Sequence, residues 1–202
     1  RLMQLIYLLE TWVAGIEPAI RRRLEVPATM RLDELHAVLQ IGFGWTNSHL
    51  HQFVAPGGKR FSDPTFDDEL ECQDESEATL EQVLPGVGAA LEYEYDFGDS
   101  WIHPVVLWGV SLPEPGAHYP RCTDGQRAGP PEDCGGVGGY ENLLDALADP
   151  EHEEHAELVE WSGGFEPEAF SLDAVNRELS RVFKPRKAAK KKAAKKAAKK
   201  KG

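Results

Sequence analysis

The sequence is poor in cysteine: three in 202 residues, none in a Cys-x-x-Cys pair. An odd number leaves one thiol unpaired whatever the others do. That argues against a small secreted module built on disulfides and points to a reducing, cytoplasmic setting. No run approaches the ~20 consecutive apolar residues of a membrane helix, so no membrane partner is expected. The N-terminal apolar stretch is short, is interrupted by Glu10 and is followed by no small-residue cleavage site, unlike a signal peptide. There is no phosphate-loop string, no His-Glu-x-x-His string and no internal repeat. What is there is 41% apolar and 28% charged residues, enough for the core of one ordinary domain.

The formal net charge of -12 conceals two unlike parts. Residues 184–202 carry ten lysines and Arg186 and no acid. The rest of the chain holds eleven basic groups against 34 acidic ones, so a body of -23 is joined to a tail of +11. An acidic body repels nucleic acid and a lysine tail attracts it. The expected organisation is therefore one domain over 1–183 and a tail over 184–202.

Residues 3–13 read as a strand, and 20–26 alternate as a second strand in a hairpin with it. On the apolar face Ile20, Leu24 and Val26 are interrupted only by Arg22. Leu32, Leu35, His36, Leu39 and Phe43 keep helical spacing, and Gly42 and Gly44 stop that helix. Strands are expected at 49–54, 59–61, 91–97 and 102–110, the last with Pro104, which favours an edge or a bulge. Residues 63–78 are acidic and read as a mobile surface loop. Residues 111–139 hold five prolines and seven glycines, and no regular element is expected there. Helices should follow at 140–148, from 149 through Trp161, and at 167–183, the last with a stripe of Phe170, Leu172, Val175, Leu179 and Val182. The order predicts an α+β fold, a mixed sheet with a β-grasp-like N-terminal half and C-terminal helices. Leu35, Leu39, Leu91, Tyr93, Tyr95 and Trp101 are its predicted core.

Six strings stand in one order: PAIRRRLEVP (18–27), LDELHAVLQIGFGW (32–45), HLHQF (49–53), YEYDFGDSWIH (93–103), YPRCTDGQRAGPPEDCGG (119–136) and ALADPEHEEH (146–155). Together they resemble the plasmid pRiA4b ORF-3-like family, whose relatives include insertion-element passenger proteins. The resemblance covers about residues 3–183. It implies a compact α+β domain with no established activity. The resolvase label of some relatives finds no support here. The arginine run at 21–23 has no serine within twenty residues, and the last tyrosine is Tyr140.

Several groups are candidates for chemistry. Asp96, Asp99 and His103 fall within eight residues, around an expected turn. They could ligate a divalent ion or share a proton, or simply serve the turn and the sheet. Cys122 and Cys134 bracket the glycine- and proline-rich segment, near His103 and His118 in sequence. A zinc clasp of two cysteines and two histidines would pin that segment; a disulfide, or two reduced thiols packed as small apolar groups, are the alternatives. The metal candidates are thus Asp99, His103, Cys122 and Cys134, with zinc as the ion. His49 and His51 alternate and would share one strand face, where they could supply two metal ligands or a phosphate contact, or simply be polar residues of an exposed face. His152 and His155 are three apart and lack zincin spacing. Gly135–Gly139 precede a helix without the Lys-Ser or Lys-Thr of a phosphate loop, and read as a flexible connector.

The tail is the clearest feature. Lys184, Arg186, Lys187, Lys190, Lys191, Lys192, Lys195, Lys196, Lys199, Lys200 and Lys201 are candidate phosphate contacts. Lysines at i and i+4 repel, so the tail should be largely disordered when free. It resembles the lysine–alanine tails of linker histones and should take DNA or RNA without sequence preference. Alternatively it folds back on the acidic body. Three functions follow: a non-enzymatic nucleic-acid-associated protein, a metal-dependent enzyme or metal-stabilised domain, and an acidic adaptor for a basic protein.

Overall fold

The computed structural model describes residues 4–66 and 71–184. The tail beyond Lys184, and Asp67, Asp68 and Glu69 of the acidic loop, lie outside the described residues. The elements are β1 (Ile6–Trp12), β2 (Arg21–Pro27), α1 (Leu32–Phe43), β3 (His51–Val54), β4 (Arg60–Ser62), β5 (Gln73–Asp74), α2 (Leu80–Val83), β6 (Ala90–Tyr95), β7 (Trp101–Ser111), β8 (Arg121–Gln126), α3 (Gly136–Ala148), α4 (His155–Ser162) and α5 (Leu172–Val182). The eight strands form one sheet in the order β5-β4-β3-β6-β7-β1-β2-β8. Among the described residues only β4 and β5 pair in parallel, so the sheet is mixed and the fold is α+β. The hairpin, α1 and β3 follow in the expected order, while β6 and β7 lie between the hairpin and β3 in the sheet.

The period of two in β1, β2, β6 and β7 puts Leu9, Leu24, Tyr93, Tyr95, Val105 and Leu107 on one face, all at most 1% exposed. Helix α1 supplies Leu35, Val38 and Leu39 to the same core. Its start is set by Arg31, whose backbone N–H donates to Glu34 Oε2, and its end by Gly44 at φ 79°. All six predicted core residues are buried. Leu39→Ala should cost about 3 kcal/mol in urea unfolding, because an enclosed site leaves most of the lost volume as cavity.

Four expectations are corrected. A strand, β8, forms within 111–139 and pairs antiparallel with the edge of β2. Its backbone is held from outside the sheet: Asn176 of α5 accepts from the Cys122 N–H and donates to the Cys122 carbonyl, both at 2.8 Å. Gly135–Gly139 are no loose connector but the cap and first turn of α3. A Cβ at Gly139 would run into the Cys134 carbonyl, and one at Gly136 into that of Asp99. The acidic stretch is ordered over 71–78: Glu75 is buried and its Oε2 lies 2.8 Å from His51 Nε2. Helix α4 begins only at His155, because Asp149 and His152 accept the backbone N–H groups of Glu151 and Glu154 in a preceding turn.

Two expectations are refined. Pro104 lies in an internal strand, but the β1 ladder reaches only to Val105, so one side of Pro104 is unpaired. Of the α5 stripe, Leu179 is fully buried, while Leu172 and Val182 are 36% and 45% exposed.

Candidate functional site

Three loops meet at one end of the sheet. The first joins α1 to β3 and carries Thr46 and His49; the second is the turn after β6 and carries Asp96 and Asp99; the third precedes α3 and carries Glu132 and Asp133. Pairing of His51 with Tyr95 in the antiparallel β3–β6 ladder brings the first two together. Glu132 of the third is drawn in by three donors on its Oε1: the Thr46 N–H at 2.8 Å, the Thr46 hydroxyl at 3.0 Å and the Tyr95 hydroxyl at 2.9 Å. Burial, and the proton that Tyr95 gives Glu132 in this bond, push the Tyr95 phenol above its ordinary range.

His49 Nε2 lies at the centre. It is 2.8 Å from Asp133 Oδ1, 3.6 Å from Asp96 Oδ2 and 3.7 Å from Glu132 Oε2. The ligand atoms of His49, Asp96 and Asp133 all fall within 4.8 Å of one another, the one such group of three among the described residues.

Of the residues singled out in the sequence, His49 and Asp96 meet here, while the metal candidates Asp99, His103, Cys122 and Cys134 do not gather. His103 is fully buried among Phe43, Trp45 and Tyr93. Its Nδ1 is 3.2 Å from the Tyr93 carbonyl and its Nε2 accepts from the Trp45 indole N–H at 3.3 Å, so both nitrogens are taken. Burial lowers its pKa to about 4. Cys122 is buried and its thiol donates to the Asp124 carbonyl; burial pushes its pKa up to about 11. Cys134 is pushed up to about 12 by burial and then by the Asp99 charge. Asp99 accepts from the Gly135 N–H at 3.1 Å. No three of Asp99, His103, Cys122 and Cys134 gather their ligand atoms, and all three cysteines are free thiols. His118 lines a separate surface pocket with Tyr119 and Phe183.

His49 and His51 do not share a strand face, because β3 starts at His51. His51 is buried and stacks on His36, with ring centroids 3.6 Å apart. His152 lies in the turn before α4, and His155 Nδ1 is 2.6 Å from the Ala146 carbonyl. Sequence reasoning missed Glu132 and Asp133 as partners of His49, since nothing in their spacing links the third loop to the other two.

No helix among the described residues is long and apolar enough to cross a membrane. Residues 6–174 match the family described as plasmid pRiA4b ORF-3-like protein. The chain is 38% identical over 168 residues to the uncharacterized protein y4hQ of Sinorhizobium fredii, covering 81% of this chain and 85% of that one. It is also similar to the crystal structure of a protein of unknown function, MM3350 from Methanosarcina mazei Go1. The TM-score is 0.77 at 37% identity, over 85% of this chain and 97% of that one. With the matched span running from β1 into α5, the chain belongs to the plasmid pRiA4b ORF-3-like family.

Proposed function

We propose that this is a non-enzymatic, nucleic-acid-associated protein whose C-terminal lysines hold DNA or RNA while the folded body does not. The observation that carries this reading is the division of charge, +11 in residues 184–202 against -23 before them. The fate of the body's own cations supports it. Arg21, Arg23, Arg31, Arg121, Arg127 and Arg181 are all engaged by carboxylates, and Arg22 is buried. Few cations are left on the body to meet phosphates. Lys184, where the tail departs, is exposed.

The full chain should bind duplex DNA without sequence preference. Up to eleven phosphate contacts would give a log–log salt slope of about -10. Ending the chain after Phe183 should abolish binding. Neutralising Asp67, Asp68 and Glu69 to their amides should strengthen it, because it removes acidic competitors for the lysines, an effect confined to charges within about 8 Å at physiological salt. Gel shifts on the three proteins across a salt series test this. A shortened chain that binds as well as the intact one would make the tail a passenger and end the nucleic-acid reading.

A further inference from the structure

We propose that His49, Asp96 and Asp133, with Glu132 beside His49, form a site for one first-row divalent transition ion, zinc or manganese in type, which clips the three loops together at the end of the sheet. This stands apart from the tail and from the zinc clasp of His103, Cys122 and Cys134 expected from sequence; it shares only Asp96 and His49 with the candidates read there.

The case rests on how the two more buried carboxylates are held. Asp96 has a side chain only 9% exposed. Its Oδ1 accepts the N–H groups of Gly98 and Asp99 at 2.9 and 3.3 Å. Its Oδ2 takes no hydrogen bond from any described residue and faces His49. Glu132 repeats the pattern. Its Oε1 takes all three donors from Thr46 and Tyr95, while its Oε2 is buried with no hydrogen-bond partner. His49 Nε2 is buried too, with the Asp133 carboxylate beside it. The donors on their other oxygens thus turn Asp96 Oδ2 and Glu132 Oε2 toward His49 Nε2. Leaving a buried atom such as Glu132 Oε2 unmet costs about 1–3 kcal/mol, and ligating carboxylates are commonly held by hydrogen bonds of this kind.

The ligand atoms of His49, Asp96 and Asp133 lie within 4.8 Å of one another, and Glu132 Oε2 stands beside that group, near His49. Donors about 2.0–2.2 Å from one tetrahedral ion stand roughly 3.4 Å apart. The separations from His49 Nε2 to Asp96 Oδ2 and Glu132 Oε2 are 3.6 and 3.7 Å. Asp133 is closer, at 2.8 Å, but its side chain is 69% exposed and free to withdraw. One imidazole with three carboxylates suits zinc, manganese or ferrous iron; calcium prefers six to eight oxygens.

The test is calorimetric titration of the intact, chelator-stripped protein with Zn²⁺, Mn²⁺ and Ca²⁺, in excess Mg²⁺ to occupy diffuse acidic sites. One Zn²⁺ or Mn²⁺ per chain is expected. His49→Ala and Asp96→Asn should each weaken it by about tenfold or more. Asp133→Asn changes an exposed side chain, so it should fold normally and still lose affinity. Replacing Cys122 and Cys134 together by serine should leave Mn²⁺ affinity unchanged. Absence of one-to-one binding, a preference for Ca²⁺, or affinity indifferent to both His49→Ala and Asp133→Asn would each overturn the proposal.

Discussion

Arg22→Met should lower stability by about 3 kcal/mol, although it places an apolar side chain on an apolar strand face. Arg22 is 2% exposed and has no carboxylate partner among the described residues. Its guanidinium instead donates to four carbonyls: Gly42 at 2.6 Å, Arg21 at 2.7 Å, and Gln126 and Arg127 at 2.8 Å. The Gly42 carbonyl belongs to the last turn of α1, which has no basic residue of its own, so Arg22 also offsets the negative end of that helix. The rings of Phe43 and Phe170 lie 5.1 and 4.3 Å from the guanidinium carbon. Gly125 stands opposite Arg22 in the β2–β8 ladder, and any Cβ there would collide with Phe170. Burial lowers the pKa only to about 10, so the group stays charged at neutral pH.

Methionine keeps the stem but strips donors from buried carbonyls, at about 1 kcal/mol or more each. Relief from burying a charge returns part of that. Arg22→Lys should recover less than half of the loss, since a point ammonium cannot reach carbonyls on both sides as the planar fork does. Urea melts of both variants check this. A methionine variant as stable as the parent would mean that the carbonyls find other donors.

Arg22 also shows where sequence stops informing. The alternation of residues 20–26 places it on the inner face, and it reads there as a blemish. Its role becomes visible only when α1 and β8 are brought up against β2. The same holds for β8 itself. Local propensity at 119–136 disfavours a strand, but the open edge of β2 and the side chain of Asn176 override it. Where one periodicity governed a long segment, as in α1, β6 and β7, the elements and their buried faces were legible. The His49 cluster was half legible. His49 and Asp96 flank the strands that pair through His51 and Tyr95, so that register places them together. Glu132 and Asp133 arrive by a long crossing that no short-range pattern encodes.

Acidification from pH 7 to pH 5 should cost the protein about 3–4 kcal/mol, through two histidines buried as neutral rings. His36 and His103 are each lowered to about 4, in both cases chiefly by burial. For His36 the neighbouring His51 adds to the lowering, while Asn47, Asp63 and Asp33 oppose it. For His103 only backbone partners, at Tyr93 and Trp101, oppose it. An unfolded histidine titrates near 6.5, so as pH falls the unfolded chain takes up these protons first. Stability is therefore full above about pH 6.5, declines through the window below it, and levels near pH 4, where the folded rings also protonate. Each pH unit inside the window costs about 1.4 kcal/mol per ring. Asp63 and Asp124 are lowered, by the Thr65 backbone and by Arg21 respectively, and lose their contributions only in the carboxylate range, so pH 5 isolates the histidines. Chelator in the buffer removes any ion whose binding also weakens in acid. His103→Gln should be less stable than the parent at pH 7, yet lose about 2 kcal/mol less between pH 7 and pH 5. Equal losses in the two proteins, measured by urea unfolding, would mean that His103 is protonated within the folded core at pH 5.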